Sequence, residues 1–169
     1  GDAPLEHFYT NAIGPYFREP RWYLGFPMRF VPERKSIGWP ERKIDGVSDA
    51  VFISSRDGLH FTRTFPEALI RPGLDPANWG NAHGNNTPAW GLLRTALGEI
   101  SMYWCERYGE VPRVRRGTLR TDGFASASAP RAGGELTTKL LTFEGKELFL
   151  NYSTSAVGSV QVEIQDAGG

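Results

Sequence analysis

Three carboxylates stand where this chain could do acid–base chemistry. They are Glu19 before Pro20, Asp49 ahead of an apolar run, and Glu106 two residues after Trp104. Two such groups facing one bond, one protonated and one ionised, supply the proton and the counter-charge that bond cleavage needs. Asp49 either faces a cavity from the start of a strand or caps that strand. Glu106 is either an acid whose pKa the neighbouring aromatics raise, or a surface carboxylate paired with Arg107 or Arg116. Asp57 and Asp122 each precede a glycine and read as turn residues, because a side chain there caps its own backbone.

Around these acids, Arg18, Arg29 and Arg56 offer planar donor forks that suit a carboxylate or a diol. A salt bridge to a turn aspartate is the alternative role. Trp39 and Trp79 fall in loops and could stack on a sugar face, whereas Trp22, Trp90 and Trp104 fall in strand-like runs and read as core. His7, His60 and His83 lack ligand spacing, so no metal site is expected. His83, in the loop Asn81-Ala-His-Gly84, is a candidate ligand contact. No nucleophile elbow, phosphate loop, dinucleotide fingerprint or calcium loop is present, so no cofactor is expected.

The elements that position these residues read as strands. Asp49 to Arg63 alternates on both sides of Asp57-Gly58, a strong hairpin signal because that dipeptide tolerates positive φ. Leu5 to Ile13 reads as extended. Arg21 to Phe30 reads as a strand with Pro27 at a bulge or edge. Residues 32–46 form a charged loop, a short strand surrounds Ala68 to Ile70, and Leu74 to Pro88 forms a second, polar loop. Strands follow at Ala89–Thr95, Glu99–Tyr108, Arg113–Thr121 and Phe124–Ala129. Arg113 and Arg115 share one face of theirs, with Arg116 on the other, as on a solvated strand. Arg56-Asp-Gly and Arg120-Thr-Asp-Gly each follow two strand-like runs, a spacing of roughly 70 residues that suits a repeated multi-stranded blade. Beyond the linker Pro130–Gly134, three further alternating runs cover 135–143, 147–152 and 160–166. They read as the opening of a β-sandwich.

Composition agrees with an all-β chain. Its 169 residues are 40% hydrophobic and include 20 glycines and 12 prolines, which favours many turns and few long helices. Nineteen basic residues balance 19 acidic ones, so no nucleic-acid partner is indicated. The lone Cys105 excludes an internal disulfide and reads as a buried structural thiol. No apolar run is long enough for a membrane helix, so no membrane insertion is expected. The chain opens on Gly1-Asp-Ala-Pro without a methionine, as expected of a processed or partial chain.

Ser54-Ser-Arg-Asp-Gly-Leu-His-Phe-Thr-Arg63 resembles the third-to-fourth strand hairpin of five-bladed β-propeller glycoside hydrolases. Tyr16-Phe-Arg-Glu-Pro-Arg-Trp-Tyr-Leu-Gly-Phe26 is similar to the blade opening of fructosidase-like and arabinanase-like enzymes. Thr10–Ile13, Gly25–Phe30, Ser48-Asp49, Arg71-Pro-Gly73, Leu119–Phe124 and Val162–Asp166 resemble a group of large uncharacterised bacterial proteins of that architecture. The resemblance implies a propeller-blade region over 1–130 and the start of a β-sandwich over 131–169, with the earlier blades lacking. It implies a portion of a glycoside-hydrolase-like protein acting on polysaccharide, in an extracellular or periplasmic setting. Glu19 matches the Arg-Asp-Pro aspartate that stabilises the transition state in such enzymes, one methylene longer. Three roles stay open for the chain: part of a hydrolase, a non-catalytic carbohydrate-binding or structural segment, or a silent fragment.

Overall fold

A computed structural model describes residues 5–35, 46–79, 84–109, 111–166 and 168. The chain divides into two compact units, Gly1–Ser126 and Ala127–Gly169. All described strands lie in the first, and every pairing is antiparallel.

The first three layers of chain form one meander, broken in the middle. β1 (His7–Tyr9) and β2 (Gly14–Tyr16) run beside β4 (Met28–Val31) and β3 (Glu19–Gly25), which run beside β5 (Val47–Ala50) and β6 (Ile53–Ser55). The register from β3–β4 to β5–β6 stays constant across the break, from Tyr23 opposite Ser55 to Val31 opposite Val47. Pro27 causes the break because it has no N–H to donate. Its carbonyl still accepts from Val51 N at 3.1 Å, which holds the register. On the other side one extra residue enters between Tyr9 and Gly14: His7 opposes Phe30 and Gly14 opposes Leu24, seven steps against six. Thr10 and Ala12 absorb that bulge at φ of 50° and 45°. A fourth line of chain joins only at isolated bridges, Ser54 with Thr62 and Ala50 with Ile70.

The second meander is more regular. β7 (Thr87–Pro88) and β8 (Leu93–Ala96) pair along one side of β9 (Glu99–Glu106), and β10 (Arg113–Arg120) pairs along the other. The β8–β9 turn uses Gly98 at φ +74°, a conformation glycine adopts without steric cost. Alternation assigns the faces of β9. Ile100 and Met102 are buried, with Met102 in the core, while Arg115 and Arg116 on β10 reach opposite faces, to Glu106 and to Glu99 with Ser101.

One aromatic core joins the two meanders. Tyr16, Leu24, Phe26, Ala50, Ile70 and Met102 are buried together, with Phe52, Trp104 and Phe124 packed against them. Phe52 and Phe124 stack with centroids 5.3 Å apart, and Phe124 meets Tyr16 edge-on at 5.5 Å.

Several expected elements come out differently. The Asp57-Gly58 hairpin is not a two-residue turn: β6 ends at Ser55 and the chain pairs again only at Thr62, which leaves residues 56–61 as a loop. Side chains hold it in place of a ladder, because Asp57 Oδ1 accepts from Leu59 N and His60 N and Ser55 Oγ accepts from Gly58 N. Phe124–Ala129 forms no strand, since Phe124 turns into the core. Ala68–Ile70 contributes one bridge only. Residues 135–143, 147–152 and 160–166 form no strand, and their apolar side chains stay exposed, Ile164 at 75%. An alternating run becomes a strand only when a neighbour takes its backbone hydrogen bonds and a layer covers its apolar face. Neither is present among the described residues of that unit.

Candidate functional site

Asp49 sits in the middle of β5, where four residues in a row are buried. Burying a carboxylate there requires charge partners. Arg29, directly opposite in register on β4, supplies them: its Nε donates to Oδ1 at 2.8 Å and its Nη2 to Oδ2 at 2.7 Å. Arg34 Nη1 adds a third contact to Oδ2 at 2.5 Å. Arg29 Nη1 then donates to Glu6 Oε1 at 2.8 Å and to the Pro66 carbonyl at 3.0 Å. Glu6 closes the chain with Arg63. The result is a line of alternating charge, Arg34–Asp49–Arg29–Glu6–Arg63.

The line shifts the pKa of two of its members, Arg29 and Glu6. The bidentate hydrogen bond to Asp49 holds the Arg29 guanidinium above its ordinary pKa, against burial. Burial alone would raise the Glu6 carboxyl, but the Arg63 hydrogen bond and the charges of Arg29 and Arg63 together bring it below its ordinary value. Arg29 uses Nε and both terminal nitrogens, so it is a structural cation.

A cavity of about 590 Å³ opens beside this line. Arg29, Arg34, Asp49, Glu67, Arg71 and Trp79 are among the residues that line it. The loop that carries Trp79 is tied down from within. Asp75 caps the 3-10 turn Pro76–Asn78, Asn78 Nδ2 donates to the Pro72 carbonyl at 3.0 Å, and Trp79 Nε1 donates to the Gly73 carbonyl at 2.9 Å. Arg107, directly after β9, holds Asp75 Oδ2 through its Nε at 2.7 Å. The indole is thus positioned before any ligand arrives. A second cavity, of about 440 Å³, lies at the other end of the charge line, with Phe8, Phe61, Asn11 and Arg63 in its walls.

Of the residues singled out by sequence, Asp49, Arg29 and Trp79 meet at the first cavity. The other carboxylates lie elsewhere. Glu19 is on β3, where Arg21 Nε donates to it at 2.6 Å and lowers its pKa. Glu106 is buried at the end of β9 and accepts from Arg115 Nη2 at 3.0 Å and from Trp104 Nε1 at 3.1 Å. Its partner is therefore Arg115, neither Arg107 nor Arg116. Arg18 pairs with Asp122. Arg56 lies over the Trp22 ring, 5.0 Å from its centroid, and that indole is at the surface. Trp90 lies outside any strand and is also exposed, its Nε1 pinned to the Ile13 carbonyl at 2.7 Å, so of the three tryptophans expected to fill the core only Trp104 packs against it. Trp39 and His83 lie outside the described residues.

Sequence reading missed Glu6, Arg34, Glu67 and Arg71. Arg71 had a signal, since Arg71-Pro-Gly73 is a turn directly after an apolar run. Glu6 had none, because its partners are 23 and 57 positions away. Cys105 is half-buried, and burial first, then the Glu106 charge, raises its thiol pKa. Among the described residues no group of three or more His, Cys, Asp or Glu could hold a metal ion, and no helix is long and apolar enough to cross a membrane. The chain matches no protein-family model, no curated protein and no solved structure.

Proposed function

We propose that this chain is a carbohydrate-binding portion of a glycoside-hydrolase-like β protein and is not itself the catalyst. The observation that carries this reading is the separation of its acids. Glu19, Asp49 and Glu106 lie on different strands, and each is held by its own arginine. Glycoside cleavage needs two carboxyl groups across one sugar, one of them free to give up a proton. Asp49 already accepts three guanidinium hydrogen bonds, so both its oxygens are committed to arginines of this chain. A cavity with a fixed indole beside polar side chains suits a sugar ring, whose faces are apolar and whose rim is hydroxylated.

The architecture that fits this reading is a pair of propeller blades. Each meander runs up and down through three strands, and the first gains a fourth line of chain at two bridges. In this scheme the second unit is the beginning of a β-sandwich.

A panel of neutral and acidic plant and algal polysaccharides, run by affinity electrophoresis, tests the reading. Retardation on at least one polymer is expected, weakened about tenfold by Trp79→Ala with the melting temperature kept. No retardation on any polymer would sink the carbohydrate reading. Release of reducing sugar that Asp49→Asn abolishes would overturn the non-catalytic part.

A further inference from the structure

The cations of the first cavity are not equivalent. Arg29 is fully used, with contacts to Asp49, Glu6 and Pro66. Arg34 spends one terminal nitrogen on Asp49 and leaves its side chain 42% exposed. Arg71 spends only its Nε, on the Ala68 carbonyl at 3.3 Å, and its terminal nitrogens have no partner among the described residues. Asp49, meanwhile, is neutralised by two guanidinium groups. The lining therefore carries three arginines against two carboxylates, Asp49 and Glu67, a formal excess of one positive charge.

Uncommitted guanidinium N–H groups in a partly enclosed site favour a planar anion over a neutral hydroxyl, because charge-assisted forks are about twice as strong as neutral hydrogen bonds. Glu67 is an acceptor and cannot bind that anion, but it can accept from sugar hydroxyls. Trp79 offers a flat face for the ring. A unit that needs all three features is a sugar bearing a carboxylate. We propose that this cavity binds a uronate residue of an acidic polysaccharide, with Arg71 reading the carboxylate, Arg34 assisting it, and Asp49 holding Arg34 in place. The inference rests on the carbohydrate-binding reading and names its ligand class.

Polygalacturonate, the same polymer fully methyl-esterified, neutral arabinan and dextran sulfate are the probes, measured by calorimetry at fixed ionic strength. Polygalacturonate is expected to bind at least tenfold tighter than the ester. Arg71→Gln should remove about that factor, Arg71→Lys less, and Arg113→Gln on β10 none, all with unchanged melting temperature. Equal binding of acid and ester, or loss in Arg113→Gln equal to that in Arg71→Gln, overturns the uronate assignment. Dextran sulfate bound as tightly through Arg71 overturns it too, in favour of a general anion site. Binding of arabinan alone overturns the assignment while keeping the carbohydrate reading, and binding of none of the polymers removes both.

Discussion

Asp57-Gly58 and Asp122-Gly123 occupy the same topological place. Each follows the third strand of a meander, β6 in the first and β10 in the second. Yet the two corners are built in opposite senses. Asp57 turns its carboxylate onto its own loop, to Leu59 N, His60 N, Ser55 Oγ and the His60 ring at 2.7 Å. Asp122 turns outward to the other meander. Its Oδ1 accepts from the Tyr16 hydroxyl at 2.6 Å, its Oδ2 pairs with Arg18, and its N–H donates back to the Tyr16 oxygen at 3.3 Å. The next apolar residue diverges as well: Leu59 is 81% exposed, whereas Phe124 stacks in the core. The dipeptide sets the turn. The partners within reach of its carboxylate decide whether the turn stabilises a loop or clamps two sheets.

The largest expected difference lies in those apolar residues. Phe124→Ala removes a ring that touches Tyr16, Phe26 and Phe52, and should cost about 2–4 kcal/mol in urea unfolding. Leu59→Ala should stay within about 0.5 kcal/mol, as for other exposed side chains. Equal losses at the two positions would break the comparison.

The clamp should also answer to alkali. Burial, and then the Asp122 hydrogen bond, pushes the Tyr16 phenol from 10.0 up to about 12. A phenol that keeps its proton longer in the fold than in the unfolded chain stabilises the fold fully below pH 10 and loses that contribution as pH rises toward 12. Absorbance titration should show a late-ionising tyrosine, and Tyr16→Phe should remove it and flatten the alkaline limb of stability. If the late tyrosine survives Tyr16→Phe, the clamp is not its cause.

Much of this fold is legible because alternation reports faces. The runs that became β9 and β10 read correctly, since both find neighbours with the complementary face. The same signal at 160–166 gives no strand, because alternation says which side would be buried and not that anything buries it. The strand read over Arg21–Phe30 became β3 and part of β4 for a related reason: Pro27 marks a defect, but only the partner strand shows that the register survives it. At the cavity, Asp49, Arg29 and Trp79 were legible one by one, as a strand-start acid, an arginine and a loop indole. Their meeting was not, because it depends on a register 20 residues apart and a loop folded on its own side chains. Glu6 shows the limit most plainly. Its role exists only through Arg29 and Arg63, which no local pattern connects to it.

The smallest expected effect belongs to the self-contained corner, and it appears at the acid end. Hydrogen bonds from His60 N, from the His60 ring and from Leu59 N hold the Asp57 carboxyl well below the usual aspartate value. A carboxylate favoured in this way stabilises the fold above its unfolded pKa of 3.8, and that help disappears as pH falls further. Asp57→Asn keeps an oxygen for the two backbone N–H groups but cannot titrate. The gap in melting temperature between the parent chain and Asp57→Asn should therefore be small at neutral pH and close as the solution is acidified. The same substitution at Asp122 should instead act at neutral pH, by weakening the pairing with Arg18, and should lower the alkaline pKa of Tyr16. Identical pH profiles for the two variants would mean that both aspartates merely hold turns. A crossed pair, acid for Asp57 and alkaline for Asp122, would mean that one dipeptide serves two distinct electrostatic roles at equivalent corners.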